Sequence, residues 1–445
     1  MRILLVYTNR YRTWAPPPLG LAYLSGPLRK EGHEVKLLDL MFSLDPTGKL
    51  GATIDSFRPD LVGFSIRNID NQDMLNPTFF LGQARELVEV AIKKGTKTVI
   101  GGTAFTTFPE EMLTYMGADY GIMGQGEKGL LLLAGSLTAG GLNTAIPGLV
   151  WRENGSVRMN PPDFNGYRAL RADWEALSLK KYDKGLFSGA VVTKTGCPHR
   201  CSYCNVSSTF GDRFAFRDTG DIVEEMRTLK QRHGIRIFSL TDACFNTPLD
   251  YAKNVLKAIA DARLKIYLNT NLIPIPGQYD DEFFTLYKKA GGILLSLGTE
   301  TLSEKMLRSY HKPFTLDDVR ACAKLCDKHR VPFMVQALFG GPGENEATIK
   351  ESMAMLPEIH YSRFVYSIGI RILPGTALFE TAKKEGMVKD ARELFVPKFY
   401  VSRDLDVGWA DKYIKGKLRR YAYRNVKMAP IMAKCALARR FGVVI

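Results

Sequence analysis

No run in this chain approaches the ~18 uninterrupted apolar residues of a spanning helix; the stretch 130–134 is among the longest and stops at Gly135. A secretory leader is not expected either. The start, Met1-Arg2-Ile3-Leu4-Leu5-Val6-Tyr7, soon meets Asn9, Arg10 and Arg12 without a small-residue cleavage site, and it reads as a buried first strand. Cysteine is scarce: Cys197, Cys201, Cys204, Cys244, Cys322, Cys326 and Cys435 are the only seven in 445 residues. An odd, uneven set of this kind excludes a secreted disulfide framework, and three cysteines within eight residues point to a metal site in a reducing compartment. Acidic residues are missing from the last 34 positions, 412–445, which hold ten Lys and Arg.

What is present is ordinary in bulk. The chain is 45% apolar and 24% charged, which excludes global disorder, and 445 residues suit two or three domains. The net charge of +15 suggests an anionic partner: nucleic acid, a phosphorylated substrate or a membrane surface. Short apolar runs fit for buried parallel strands occur at 3–7, 35–38, 61–65, 98–100 and 120–123, separated by helical patterns at 19–31 and 79–94. These imply a doubly wound α/β domain over 1–140, with ligands outside the carboxyl ends of its strands. Turn signals dominate 141–187, read as a connector with a hairpin at 148–159. A second βα series starts at 190–194 and continues at 235–240, 265–269, 293–297, 333–338 and 367–372. Six units are too few for a closed eightfold barrel, so an open partial barrel is expected over 188–385, with its active site at the strand carboxyl ends. Residues 386–445 form a basic helical extension.

The cysteine triplet reads Thr195-Gly196-Cys197-Pro198-His199-Arg200-Cys201-Ser202-Tyr203-Cys204, directly after a strand. Clustered thiolates suit iron–sulfur clusters or zinc. Structural zinc usually takes four ligands, and His199 lies wedged inside the short loop. Three thiolates on a cubane of four irons leave one iron open for a substrate or cofactor. The triplet, Tyr203 and the strand placement resemble the radical S-adenosylmethionine (SAM) superfamily, over roughly residues 188–380. The resemblance implies a 4Fe-4S cluster on Cys197, Cys201 and Cys204 as the catalytic centre, with SAM on the open iron. It implies SAM contacts from Tyr203, from Thr241 and Asp242 after the second strand, from Asn269, from Glu300 in Gly298-Thr299-Glu300, and from Gly341 and Gly343 in the glycine-rich turn after the fifth strand. No second cysteine triplet exists, which weighs against members with an auxiliary cluster.

The segments 16–24, 32–35, 61–65, Ile100-Gly101-Gly102 and Gly124-Gln125-Gly126-Glu127 resemble the cobalamin-binding domain that precedes this barrel in one subgroup. Gly101, Gly102, Gly126 and Glu127 are the expected corrinoid contacts, and Arg67 the candidate for the cobalt lower face. The loop 8–14 lacks the Asp and His that supply a cobalt ligand in many cobalamin proteins. Gly124 to Gly129 also spells G-x-G-x-x-G, but it follows the fifth strand instead of the first, which discounts a nicotinamide cofactor.

The reading that results is a cobalamin-dependent radical SAM enzyme, a C-methyltransferase acting on an unactivated carbon through a 5'-deoxyadenosyl radical and methylcobalamin. Ring closure or rearrangement without net methyl transfer, a SAM-only radical enzyme and a nucleic-acid-modifying enzyme are the alternatives. Its expected partners are a small-molecule substrate, of a lipid-like kind that the basic tail suggests, and an external electron donor such as flavodoxin or ferredoxin. The expected location is cytoplasmic. Because the charge surplus is concentrated in 412–445, peripheral contact with an anionic inner membrane surface is favoured over nucleic acid.

Overall fold

The computed structural model describes residues 1–11, 16–164, 172–175, 177–182, 189–420 and 428–441. The first sheet contains β1 (Arg2–Tyr7), β2 (Glu34–Asp39), β3 (Leu61–Ser65), β4 (Lys97–Gly101), β5 (Tyr120–Ile122), β6 (Leu149–Glu153) and β7 (Ser156–Met159), in the order β2-β1-β3-β4-β5-β6-β7. The first five are parallel. They are near-continuous apolar runs because both faces are covered: Ile3, Leu5 and Tyr7 enter one core, Leu4 and Val6 the other. Strand order reverses between β1 and β3, which opens a crevice at their carboxyl ends.

The hairpin β6–β7 lies within the segment expected as a connector. It pairs antiparallel with β5 and so extends the first sheet to residue 159. The backbone groups at the β5 edge find partners this way, and the short strand is protected.

The second sheet is a six-stranded parallel array, order β15-β14-β13-β12-β11-β8, open between its two ends. Its strands are β8 (Gly189–Val191), β11 (Ile237–Leu240), β12 (Tyr267–Leu272), β13 (Gly292–Glu300), β14 (Phe333–Phe339) and β15 (Arg363–Ile368). Two small ribbons flank it: β9 (Lys194–Thr195) with β10 (Ala215–Phe216), and β16 (Ile370–Arg371) with β17 (Phe399–Tyr400). Helices join successive strands, as in the helix Thr219–His233, capped by the Asp218 carboxylate and ended by left-handed Gly234.

The carboxyl-terminal extension forms the helices Val407–Arg420 and Met428–Phe441. Ile431 and Cys435, one turn apart, are buried against Ile237, Tyr267, Ile293, Leu294 and Met334 near the amino ends of β11 to β14. The last helix therefore covers the floor of the partial barrel. No helix among the described residues is long and apolar enough to cross a membrane.

Buried polar contacts join the two sheets. Asp70, in the loop after β3, pairs with Arg371 of β16 at 2.9 Å, with both side chains at most 5% exposed. Arg217 pairs with Glu225 at 2.7 Å, and Tyr23 and Trp174 both donate to the same carboxylate. Removing one member of a buried pair strands its partner's charge. Asp70→Ala is expected to destabilise the protein by about 3–5 kcal/mol, measured as a shift in the denaturant midpoint at unchanged slope.

Candidate active site

The cysteine loop leaves β9 through Gly196, whose φ of +80° and the approach of an added Cβ to within 2.0 Å of the Arg213 carbonyl oxygen admit only glycine. The loop is then tied down by its backbone. Cys197 N–H donates to Gly211 O at 3.0 Å, Ser202 N–H to Tyr310 O at 3.1 Å, and Leu378 N–H to Ser202 O at 2.7 Å. All three cysteines are free thiols. Burial pushes Cys197 and Cys204 up to about 11, neighbouring Cys201 adds to the rise, and the Lys312 ammonium opposes it.

Among the described residues, no three His, Cys, Asp or Glu side chains converge on a point that one metal ion could occupy. The thiols are neighbours that do not close on a single ion. Three clustered soft donors suit an iron–sulfur cluster. A bound metal would deprotonate these thiols outright.

Lys312 was not singled out by any motif. Its Nζ lies 5.5 Å from the centre of the Tyr203 ring, and it lowers the pKa of Glu300 as well as of both thiols. Glu300 sits at the carboxyl end of β13 with φ of +62°, a conformation a non-glycine residue rarely adopts. Burial raises its carboxyl pKa. Glu300, Tyr203, Lys312 and the cysteines are thus brought together.

The glycine turn after β14 is braced from behind. Tyr310 donates to Leu338 O at 2.8 Å and stacks edge-on against Tyr203 at 5.5 Å. The Glu344 carboxylate accepts from Gly340 N–H at 3.1 Å and from Thr348 Oγ1 at 2.8 Å. Gly341 packs on the Tyr310 ring, and Gly343 O accepts from Lys305 Nζ at 2.7 Å.

Two expected SAM contacts are engaged elsewhere. The Asp242 carboxylate accepts from Thr193 N–H at 2.7 Å, from the Thr193 hydroxyl and from Lys194 N–H at 3.2 Å. Lys194, itself buried, lies 3.5 Å from it and donates to Phe245 O at 2.7 Å. Asp242 therefore secures the root of the cysteine loop. Asn269 lies inside the barrel, where it accepts from Ser239 Oγ at 2.8 Å and donates to Phe238 O at 3.1 Å. Polar side chains at strand ends serve such loop-anchoring roles as readily as ligand contacts.

A cavity of about 560 Å³ lies between the two sheets. From the first come the ends of β1, β3 and β4, with Arg67, Gly101, Gly102, Gly126 and Glu127; from the second come Thr195, Gly196, Thr241 and Asp242. Asn269, Glu300, Gly341, Gly343, Tyr203 and the cysteines are not in its wall; Gly196 and Val206 on either side of the cysteine loop are. Gly102 has φ of +103°, and an added Cβ there would meet Ile66 O at 2.5 Å.

Gln125, another residue that no motif role singled out, donates from Nε2 to Thr195 Oγ1 at 2.9 Å, across the two sheets. Its Oε1 is buried without a partner. Burial pushes Glu127 beside it up to about 7. A wall with an orphaned acceptor and a half-protonated carboxyl fits a ligand rimmed by amides, as a corrinoid is. No histidine is among the residues lining the cavity. His33 lies elsewhere, 3.4 Å from the amino terminus. Of the loop 8–14, residues 12–14 lie outside the described residues.

Comparison with known proteins agrees with both halves. The family model described as "Radical SAM superfamily" matches residues 191–356, and that described as "B12 binding domain" matches 13–134. Tryptophan 2-C-methyltransferase of Streptomyces laurentii is 28% identical, over 83% of this chain and 73% of that protein. The structure of the radical SAM methyltransferase TsrM from Kitasatospora setae, with cobalamin and a [4Fe-4S] cluster bound, superposes with a TM-score of 0.78. That match covers 86% of this chain and 75% of the other at 27% identity. OxsB, a cobalamin-dependent SAM radical enzyme, shares the fold at 16% identity, with a TM-score of 0.73 over 90% of this chain and 64% of that one.

Two outcomes test the braces. Gly341→Ala places a methyl 2.2 Å from Tyr310 Cε1, an overpacking that should cost about 1–3 kcal/mol and weaken SAM binding in equilibrium dialysis. Glu344 is pushed by burial from 4.5 up to about 7. The folded state then binds the extra proton, so its stability contribution is lost as pH rises from 4.5 through about 7. Glu344→Gln should flatten the pH dependence of the denaturation midpoint across that window.

Proposed function

The chain belongs to the radical SAM superfamily, in the group whose barrel follows a B12-binding domain, and on that footing we propose that it methylates a carbon atom of a small organic molecule. The observation that carries the proposal is the shared cavity. The carboxyl ends of β1, β3 and β4 and those of β8 and β11, beside the cysteine loop, open onto one space, so groups bound to each domain could meet over one substrate.

When bound, the cluster supplies the electron that cleaves SAM, and cobalamin supplies the methyl group. Cys197, Cys201 and Cys204 would hold the cluster, and Lys312 would balance part of its negative charge. Glu300 and the turn at Gly341 and Gly343 would orient SAM, with Tyr203 packed behind. Gly101, Gly102 and Gly126 would let the backbone approach the corrinoid, with Gln125 accepting from a rim amide and Glu127 beside it. Arg67 stands at the crevice between β1 and β3, where it would place a cation beside the bound corrinoid. The apolar walls around Leu5, Phe64, Ile122 and Leu130 exclude water from the reacting atoms.

The electron is expected from an external donor of the flavodoxin or ferredoxin class. Pro198 and Arg200, exposed at the tip of the cysteine loop, offer it the nearest edge. The cations of 412–445 support peripheral contact with an anionic membrane, but the last helix lies at the floor and the cavity at the opposite end. That separation favours a water-soluble substrate over a lipid.

The decisive experiment incubates anaerobically reconstituted enzyme with host extract and methyl-deuterated SAM. Mass spectrometry should show a metabolite with a labelled methyl on carbon. Cys201→Ala should abolish the cluster absorbance, 5'-deoxyadenosine and the labelled product together. Failure of the wild-type protein to retain added cobalamin would sink the methylation reading.

A further inference from the structure

Parallel strands all enter the barrel at its floor, and every entry from β11 to β15 carries a cation. Arg236 precedes β11, Arg263 and Lys265 precede β12, Lys288 and Lys289 precede β13, Arg330 precedes β14, and Arg363 begins β15. Lys230 in the helix before β11 and Lys434 on the last helix complete the set. None of the nine side chains forms an ion pair or hydrogen bond with another described residue.

Some cations on the barrel's helices are matched. Lys253 holds Asp280 and Glu282, and Arg320 holds Asp317 and Glu358. At the floor burial lowers the pKa of Lys230 and of Lys288, and neighbouring cations add to it: Arg236 and Lys265 on Lys230, Lys434 on Lys288. The nearby acids are few. Asp327 is engaged with His360, Glu358 with Arg320 and Glu175 with Arg232.

The centre of this face is apolar. The last helix buries Ile431 and Cys435 inward and exposes Ala429, Pro430, Met432, Ala433 and Ala436 outward, with Met432 44% exposed. The exposed aromatic side chains among the described residues, Phe79, Phe210 and Phe216, lie away from it.

We propose that the barrel floor is a docking face for an anionic bilayer surface, on which the strand-entry cations contact lipid phosphates around the apolar outer side of the last helix. This deepens the peripheral contact read from residues 412–445 and moves most of its charge onto the barrel itself. Cations near an anionic leaflet add attraction within a Debye length, and a small apolar centre adds shallow insertion. The orientation has a consequence. The cofactor cavity, at the opposite ends of the same strands, faces away from the membrane, so substrate and electron donor arrive from the aqueous side.

The test floats the full-length protein with vesicles of phosphatidylcholine alone or mixed with phosphatidylglycerol, at physiological ionic strength. Binding should require phosphatidylglycerol and fall with added salt. A variant combining Lys230→Glu, Lys265→Glu, Lys288→Glu and Lys289→Glu should lose at least about tenfold in partitioning, and the four Lys→Gln changes should fall between. Both should keep cluster absorbance and SAM cleavage, which separates this proposal from failure of the methyl-transfer reading. Equal binding by wild type and the Glu variant would overturn it. So would binding indifferent to lipid charge, or a preference for single-stranded RNA over the vesicles.

Discussion

The site depends on one constraint: two separately built parallel sheets must present their carboxyl ends to the same cavity. Nothing in either sheet alone enforces that. The buried pair Asp70–Arg371 does, together with Tyr23, whose hydroxyl reaches the Arg217–Glu225 pair of the barrel half. A buried ion pair adds little net stability, because desolvation offsets most of its attraction. Its effect is directional. Any other docking of the two domains would leave the Asp70 and Arg371 charges buried and unpaired, which favours the arrangement that creates the cavity.

The cysteine loop shows the same logic at smaller scale. A loop holding three thiols at fixed positions cannot rely on its own backbone, since it has no regular structure beyond the short β9 ribbon. Asp242 and Lys194 fix its root, and Tyr310 and Leu378 fix its far side through main-chain bonds to Ser202. Tyr310 also supports the glycine turn after β14. One aromatic side chain therefore couples the metal loop to the turn expected to hold SAM, and a disturbance at Gly341 reaches Tyr203 without touching a ligand.

Much of this was legible in the order of residues. Buried parallel strands are apolar on both faces, so they stand out as runs, and the six barrel strands all appear within a few residues of where the runs place them. The cysteine triplet is legible because its ligands lie in one short loop. Other features were not, for reasons of geometry. Lys312 and Gln125 acquire their roles only from side chains far away in sequence. Asp242 and Asn269 sit where ligand contacts are expected, yet their partners are Thr193, Lys194 and Ser239. Polarity at a strand end reveals that a hydrogen bond is needed, not with what. The hairpin at 149–159 was legible from its turn signals, but its pairing with β5 was not, because an antiparallel edge addition leaves no βα signature.

The charge surplus ends up with a direction. The tail places Lys434 on the floor, and the strand entries surround it with cations of their own. At the opposite end the charged groups are mostly committed: Lys194 lies beside Asp242, and Lys312 acts on Glu300 and the thiols. A parallel barrel makes this polarity easy to build, because every strand enters on one side and leaves on the other. Residues at entries can be chosen for a surface and residues at exits for chemistry, with no side chain serving both. That independence is why reversing charges at the floor should leave the cluster and SAM cleavage unchanged, and why the two roles can be measured apart.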